Sequence, residues 1–383
     1  MAATGDMIYA WTTDSGIAKK AECGGAVTTL LKYALENKIV DVVVAVKKGF
    51  DLYDAVPVAI TDAKGLDQTA GSLHCGTLLM STFIQKYLDG AKNMKVGVVV
   101  KGCDLMSMIE LGKRNEINMN NVLTIGVNCG GSVNPIQARK MIKEKFGVDP
   151  DKVTKEEIDK GQFIIEYEGG HKGIKIDELE EEGYGRRSNC RRCKYKIPRQ
   201  ADLACGNWGV IGDKAGKATF IEICSDKGAD IVSKAVSAKK LDTCAAEPKG
   251  IEIRGKTEGA MLKLGEKWRK KEFTALRDNL WDFIKKETSR CIKCYSCIEK
   301  CPVCISTPFV GRPESYMVRP GYIPSDPMFH LRRFASISDS CVNCGQCEEL
   351  CPVEIPLALI SHAIRVEGDN AYVPKLGAAP YKN

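Results

Sequence analysis

Apolar residues recur at helical spacing along Ala26–Asn37, where Val27, Leu30, Leu31, Ala34 and Leu35 share one face. The β-branched run Ile39–Val46 is long enough for a buried strand. Val56–Thr61 reads as an edge strand, because Pro57 cannot donate to a central ladder. Lys95–Lys101 and Val122–Asn128 are two further buried strands, each followed by a turn and a helical pattern, at 104–113 and 135–146. This alternation predicts an α/β (α+β) domain with a mostly parallel or mixed sheet. Residues 150–186 are polar, with an acidic run Glu178–Glu182, and read as a surface excursion. Strand patterns return at Trp208–Gly212 and Thr219–Cys224, followed by a helix over 229–239. Residues 258–290 form a Lys-rich amphipathic stretch through Leu262, Leu264, Trp268, Phe273, Leu276, Leu280, Trp281 and Ile284, expected to dock as a linker helix.

The chain is 383 residues long, which favours more than one domain. The expected division is 1–257, a linker at 258–287, and 288–383 with an insert at 305–338. Hydrophobic content of 44% and charged content of 27% fit a globular protein. No apolar run is long enough for a membrane helix, and the first residues lack a basic then apolar leader, so a cytoplasmic location is expected. Eighteen cysteines without a leader point to metal rather than disulfides. A formal charge of +7 is mild and does not argue nucleic acid.

The cysteines are patterned. Cys291, Cys294, Cys297 and Cys301 precede Pro302, and Cys341, Cys344, Cys347 and Cys351 precede Pro352 at the same spacing. This is the bacterial two-cluster ferredoxin run, in which the fourth Cys ligates the other 4Fe–4S cluster. One cluster is therefore assigned to Cys291, Cys294, Cys297 and Cys351, and the other to Cys341, Cys344, Cys347 and Cys301. Zinc would want two well-separated pairs instead. Cys304 lies outside both runs and reads as a spare thiol.

Cys103 and Cys129 each follow a buried strand, where open α/β sheets bind ligands. With Cys190 and Cys193 they number four, enough for a third 4Fe–4S cluster. Zinc, or four unrelated buried thiols, are the alternatives on spacing alone. Glycine turns at Gly24–Gly25, Gly71 and Gly206–Gly209 could let backbone N–H groups approach a phosphate, yet none matches a nucleotide fingerprint, and each alone reads as an ordinary turn.

Glu22–Leu31, Ala70–Ser72, Gly102–Asp104, Cys129, and Cys190 with Cys193 followed by Ala201–Gly209 resemble, in that order, the β subunits of coenzyme F420-dependent hydrogenases and dehydrogenases. The resemblance runs over about 15–240, and the ferredoxin-like tail resembles the formate dehydrogenase branch. It implies an FAD-binding domain with one 4Fe–4S cluster beside the flavin, ligated by Cys103, Cys129, Cys190 and Cys193. Cys205 competes with that set. The resemblance also implies that Gly24, Gly25, Thr28, Gly71, Ser72, Lys101, Gly102, Asn128, Gly206 and Asn207 lie near FAD. The function expected is electron exit: single electrons from a formate-oxidising, molybdopterin-type α subunit pass through three clusters to FAD, then as hydride to F420. Alternatives are the same exit in an F420-linked hydrogenase, or an electron bridge to a heterodisulfide reductase. No side-chain nucleophile is expected.

Seven cations lie within Arg186–Arg199. They could offset a cluster, the FAD pyrophosphate or the anionic tail of F420; the alternative is a solvated or partner-facing surface. With Tyr195 as the one aromatic there, nucleic acid is not expected. His74, His171, His330 and His362 lack partners at ligand spacing and read as surface or core, with His74 near Gly71–Ser72. Cys23, Cys75, Cys224 and Cys244 are expected to be buried thiols.

Overall fold

The computed structural model describes residues 2–159, 161–277, 279–305, 321 and 327–372. The strands are β1 (Met7–Thr12), β2 (Val42–Lys48), β3 (Ala55–Ile60), β4 (Val96–Val100), β5 (Val122–Val127), β6 (Val153–Asp159), β7 (Gln162–Tyr167), β8 (Gly170–Lys175), β9 (Leu203–Gly206), β10 (Thr219–Ile223) and β11 (Leu241–Ala245). The helices of the first part are α1 (Ser15–Lys20), α2 (Ala26–Glu36), α3 (Met80–Tyr87), α4 (Gly102–Lys113), α5 (Pro135–Met141) and α6 (Ile176–Glu181). They continue as α7 (Ser188–Arg191), α8 (Asp226–Ser237), α9 (Pro248–Arg277), α10 (Leu280–Thr288), α11 (Ser296–Glu299) and α12 (Pro302–Ile305). The last three are α13 (Pro327–Ser336), α14 (Gln346–Glu349) and α15 (Leu357–Tyr372). Two compact units result: Met1–Leu105, Asn118–Arg187 and Tyr195–Leu262 form one, and Met106–Ile117, Ser188–Lys194 and Lys263–Asn383 the other.

The first unit is built on an eight-stranded sheet in the order β11-β1-β10-β9-β5-β4-β2-β3. The pairs β2–β4, β4–β5 and β5–β9 are parallel, and the rest are antiparallel. The sheet is therefore mixed rather than mostly parallel. The Val-rich strands β4 and β5 lie inside it and are buried along nearly their whole length. β3 takes an edge, as Pro57 requires. The main core packs α2 and α8 residues such as Leu30, Leu31, Ile231 and Val232 against Val43, Ile125, Leu203 and Ile221 of the sheet.

Three parts of this unit depart from the sequence reading. Residues 150–186 are no simple excursion: β6, β7 and β8 form an antiparallel meander. Phe163 and Ile165 pack there with Phe146, Met141 and Leu179 in a core of their own. Trp208–Gly212 is a turn, because Gly209 and Gly212 take φ of 88° and 60°, which no strand tolerates. The preceding residues Leu203–Gly206 carry the strand instead. The helix expected from 258 begins at Pro248, a residue whose fixed φ suits a first turn.

In the second unit the two cysteine runs fold alike. Each makes left-handed turns at matching positions, Lys293 and Tyr295 in one and Asn343 and Gly345 in the other. Each then enters a four-residue helix, α11 or α14. Ile298, Val303, Phe334, Ile337, Ile355 and Leu357 form the core between them. The expected helical content of the insert is met by α13; most of 305–326 lies outside the described residues. Among the described residues, no helix is long and apolar enough to cross a membrane.

Candidate functional site

The structure brings Cys301 of the first run together with three cysteines of the second. It lines one cavity with Cys341, Cys344 and Cys347. Cys291 feels the Cys351 sulfur and then Cys294, while Cys297 feels Cys291 and Cys294. Burial pushes the thiols of Cys297 (to about 11), Cys341, Cys344 and Cys347 upward. Thiolates packed this deeply need positive charge nearby, which iron supplies. Backbone N–H groups already point at the sulfurs: Lys293 N to Cys291 Sγ at 3.3 Å, Cys304 N to Cys301 Sγ at 3.4 Å and Ile355 N to Cys351 Sγ at 3.3 Å. Such bonds orient and tune cluster ligands. Among the described residues, no three His, Cys, Asp or Glu side chains approach closely enough for a single metal ion. A cube of four irons sets its thiolates farther apart than one ion does. Four soft thiol donors, with backbone N–H groups directed at sulfurs of both runs, fit a 4Fe–4S cluster. Cys304 is fully buried beside Cys301, and its thiol bond holds Cys301 below the usual thiol range despite burial.

The segment carrying Cys190 and Cys193 belongs to this unit. Asn189 Nδ2 donates to Asn343 O at 3.1 Å, and Asn343 Nδ2 donates to Asn189 O at 2.9 Å. This buried reciprocal pair joins the residue before Cys190 to the loop between Cys341 and Cys344. Ser188 Oγ also bonds Glu348 Oε1. Arg192 is fully buried and donates through Nη1 to Glu272 at 2.5 Å. Arg186, Arg187 and Lys196 are buried too, Arg186 in a bidentate pair with Glu180. The basic stretch is thus largely internal, not a solvated face.

In the first unit, the strand-end residues cluster at the carboxyl ends of β5 and β9. Asn128 N donates to Cys205 O at 2.8 Å, and Asn128 Nδ2 approaches Asn207 Oδ1 at 3.5 Å. A Cβ on Gly206 would lie 1.3 Å from Asn128 Oδ1, so that side chain would have to move, and the Gly206 φ of 154° is one that side chains rarely adopt. Arg254 on α9 reaches the same point: Nη1 donates to Trp208 O at 3.2 Å and lies 3.5 Å from Asn128 Oδ1. Glu222 on β10 anchors Arg254 Nε at 2.6 Å and Arg199 Nε at 2.6 Å. Burial raises the Glu222 carboxyl, but the two arginines outweigh it and hold the group below the usual carboxylate range. Arg254 was not read from the sequence, because the helix start was placed after it; Pro248 was the available signal.

The other predicted cofactor residues lie on separate turns of this unit. Gly25, at φ 69°, caps α2 with no side-chain acceptor, leaving the first N–H groups, near Thr28, unclaimed by a cap. A Cβ on Gly24 would lie within 2.8 Å of the backbone of Ala10, Ala218 and Thr219, a packing reason for glycine by itself. Ser72 bonds the Glu22 side chain, which brings the Gly71–Ser72 turn to the Glu22–Gly25 turn. His74 N and Cys75 N donate to Glu156 Oε1, and the buried Cys75 thiol donates to Glu156 Oε2 at 2.6 Å. This clamp holds the Ser72–Cys75 segment to β6. Lys101 Nζ donates to Leu78 O at 3.3 Å, and a Cβ on Gly102, which opens α4, would lie 2.3 Å from Tyr195 O. Cys103 and Cys129 lie in this unit, half-buried.

Comparison with known proteins identifies what this arrangement is similar to. Residues 7–85 and 93–249 match the N-terminal and C-terminal parts of the coenzyme F420 hydrogenase/dehydrogenase β subunit. The F420-dependent formate dehydrogenase 1 subunit beta of Methanococcus maripaludis is 49% identical over 94% of this chain and 92% of its own length. This chain belongs to the coenzyme F420 hydrogenase/dehydrogenase β-subunit family. A second F420-dependent formate dehydrogenase subunit beta, from Methanocaldococcus jannaschii, is 47% identical over 94% of both chains. The coenzyme F420 hydrogenase subunit beta of Methanothermobacter thermautotrophicus is 26% identical and covers 62% of this chain and 83% of its own. Residues 287–355 match a 4Fe–4S dicluster domain. A chain of the F420-reducing NiFe hydrogenase complex from Methanosarcina barkeri superposes with a TM-score of 0.60 at 23% identity, over 71% of this chain and 93% of its own, and so shares the fold.

Within this member of the family, Cys205 is fully buried in the core of the large sheet, a poor position for a metal ligand. Cys75 is buried as expected, Cys23 and Cys224 are half-buried, and Cys244 is exposed on the edge strand β11, contrary to expectation. His330 and His362 are buried core residues, while His171 is exposed.

Proposed function

We propose that this chain is the electron-exit β subunit of an F420-reducing formate dehydrogenase. The observation that carries the reading is coverage: the formate dehydrogenase β subunits match through the ferredoxin tail, whereas the hydrogenase β subunit matches only 62% of the chain. A molybdopterin-type α subunit would oxidise formate to carbon dioxide and a proton. The two electrons released would cross this chain one at a time and, with one proton from solvent, leave as hydride to F420, which takes a second proton from water. Bound 4Fe–4S clusters supply single-electron transfer, and bound FAD supplies the change from one electron to two.

The chain's own residues hold, space and tune these groups. Cys291, Cys294, Cys297 and Cys351 would hold one cluster, and Cys341, Cys344, Cys347 and Cys301 the second. Cys103, Cys129, Cys190 and Cys193 are assigned to a third. The Asn189–Asn343 pair ties the Cys190 segment to the loop of the Cys341 set, so that set would be the neighbour of the third cluster. The uncapped start of α2 suits a pyrophosphate. The Asn128, Gly206, Asn207 and Arg254 cluster supplies donors at a strand end, where α/β sheets bind cofactors. The chain is expected in the cytoplasm.

Anaerobic purification followed by iron, sulfide and flavin analysis tests the reading. About twelve irons per chain, four for each cube, and one FAD are expected. A chain saturated with iron but free of flavin would favour the bridge to a heterodisulfide reductase.

A further inference from the structure

Arg333 lies on α13, on the wall of the cavity that Cys301, Cys341, Cys344 and Cys347 share. Its side chain is 1% exposed. Nε, Nη1 and Nη2 all lack a hydrogen-bond partner among the described residues. A guanidinium carries five donors and does not give up its proton, so burying it with none satisfied is among the costliest arrangements a core can hold. It shares that cavity wall with Cys301 and Cys347, and the charges of Cys304 and Cys297 act on it as well. Cys297 belongs to one proposed ligand set, and Cys347 and Cys301 to the other. The neighbouring His330 is uncharged at neutral pH, since burial and then Arg333 and Lys293 hold its ring down at about 3. Among the described residues, two further buried cations lie by the cysteine runs: Lys293 within the Cys291 loop, and Arg365, which donates to Cys341 O.

We propose that Arg333 is a positioning cation shared by the two ferredoxin clusters, donating N–H groups to their sulfurs and raising the reduction potential of both. The inference rests on the crossed cluster assignment above. Each cluster accepts one electron and passes the same electron on, and no proton or ligand changes hands. Reduction adds a negative charge in a poorly polarisable core, where a fixed cation stabilises the reduced form strongly. Two anionic clusters packed in one small domain would otherwise oppose each other's reduction. A single guanidinium between them relieves both, and its planar fork can address two acceptors at once.

The test is a potentiometric titration of the anaerobic holoenzyme, followed by electron paramagnetic resonance, with iron analysis of each sample. Arg333→Gln and Arg333→Lys are compared with wild type. In R333Q the two clusters should keep their roughly eight irons, four in each. Their reduced-to-oxidised ratio at a fixed potential should fall at least tenfold, a shift of about 59 mV for a one-electron couple. R333K, which keeps the charge, should recover at least half of that shift. Wild-type potentials in R333Q overturn the proposal, as does an equal shift in R333K. If R333Q loses iron, R333K decides: full iron supports a required charge, and equal loss refutes it. Wild-type enzyme lacking these irons would instead refute the cluster assignment itself.

Discussion

Glu222→Gln removes the carboxylate that anchors the strand-end cluster. Glu222 is buried on β10 and accepts from Arg254 Nε and Arg199 Nε, each at 2.6 Å. The Arg254 side chain is 2% exposed, so its charge cannot return to water when the partner is neutralised. Breaking such a buried pair costs about 3–5 kcal/mol. Arg199 is 44% exposed and adds little. Arg254 also keeps its bonds to Ala204 O and Trp208 O and its packing on the Phe220 ring, which argues for the low end. About 3 kcal/mol in a unit of this size lowers Tm by roughly 6–12 °C. The assay is anaerobic calorimetry of wild type and E222Q across pH. Because the folded carboxyl lies below its ordinary value, its stabilisation is present in full above the unfolded carboxylate range. It is lost as pH falls through the depressed folded value, where wild type protonates too. The Tm gap should therefore be open at pH 7 and close in acid. A gap below about 2 °C at pH 7, or one unchanged in acid, would refute the reasoning.

Cys190→Ala or Cys193→Ala should each cost about a third of the iron, while Cys304→Ala should leave it intact, both read by iron analysis. Unchanged iron in the first two would remove them from the ligand set. Gly206→Ala displaces the Asn128 amide and strains a backbone φ of 154°, and should release flavin while the ferredoxin irons remain, measured as the flavin-to-iron ratio. Asn189→Ala and Asn343→Ala should each destabilise by about 1–3 kcal/mol, with the double variant costing less than the sum, in denaturant titrations. Strict additivity would mean the two amides do not act as a pair.

Spacing was most legible where chemistry dictates it. The two cysteine runs name their own fold, because each must turn through left-handed positions such as Lys293 and Asn343 before its short helix. The strands β2, β4 and β5 were readable because burial on both faces demands unbroken apolar residues. β11 was not, because its sequence Leu-Asp-Thr-Cys-Ala is half polar, as an exposed edge allows. The meander β6–β8 was hidden for a similar reason: its short strands are rich in Lys and Glu, and few positions such as Phe163 and Ile165 are buried. Arg254 and Arg333 were illegible, since nothing local distinguishes a cation that the fold buries from one on the surface. In Arg186–Arg199, Arg192 is buried against Glu272, 80 residues along the chain, which no window connects, whereas Glu180, which pairs with Arg186, lies only six residues away.

The most direct test of the account is reduction of F420 by this subunit. Protein reduced chemically in the absence of oxygen, loaded with iron and flavin, is mixed with F420, and the coenzyme's visible absorbance is followed. Bleaching in proportion to the electrons stored, abolished by Cys301→Ser when electrons enter through the formate-oxidising partner, is the predicted result. Fully loaded protein that leaves F420 oxidised would contradict it.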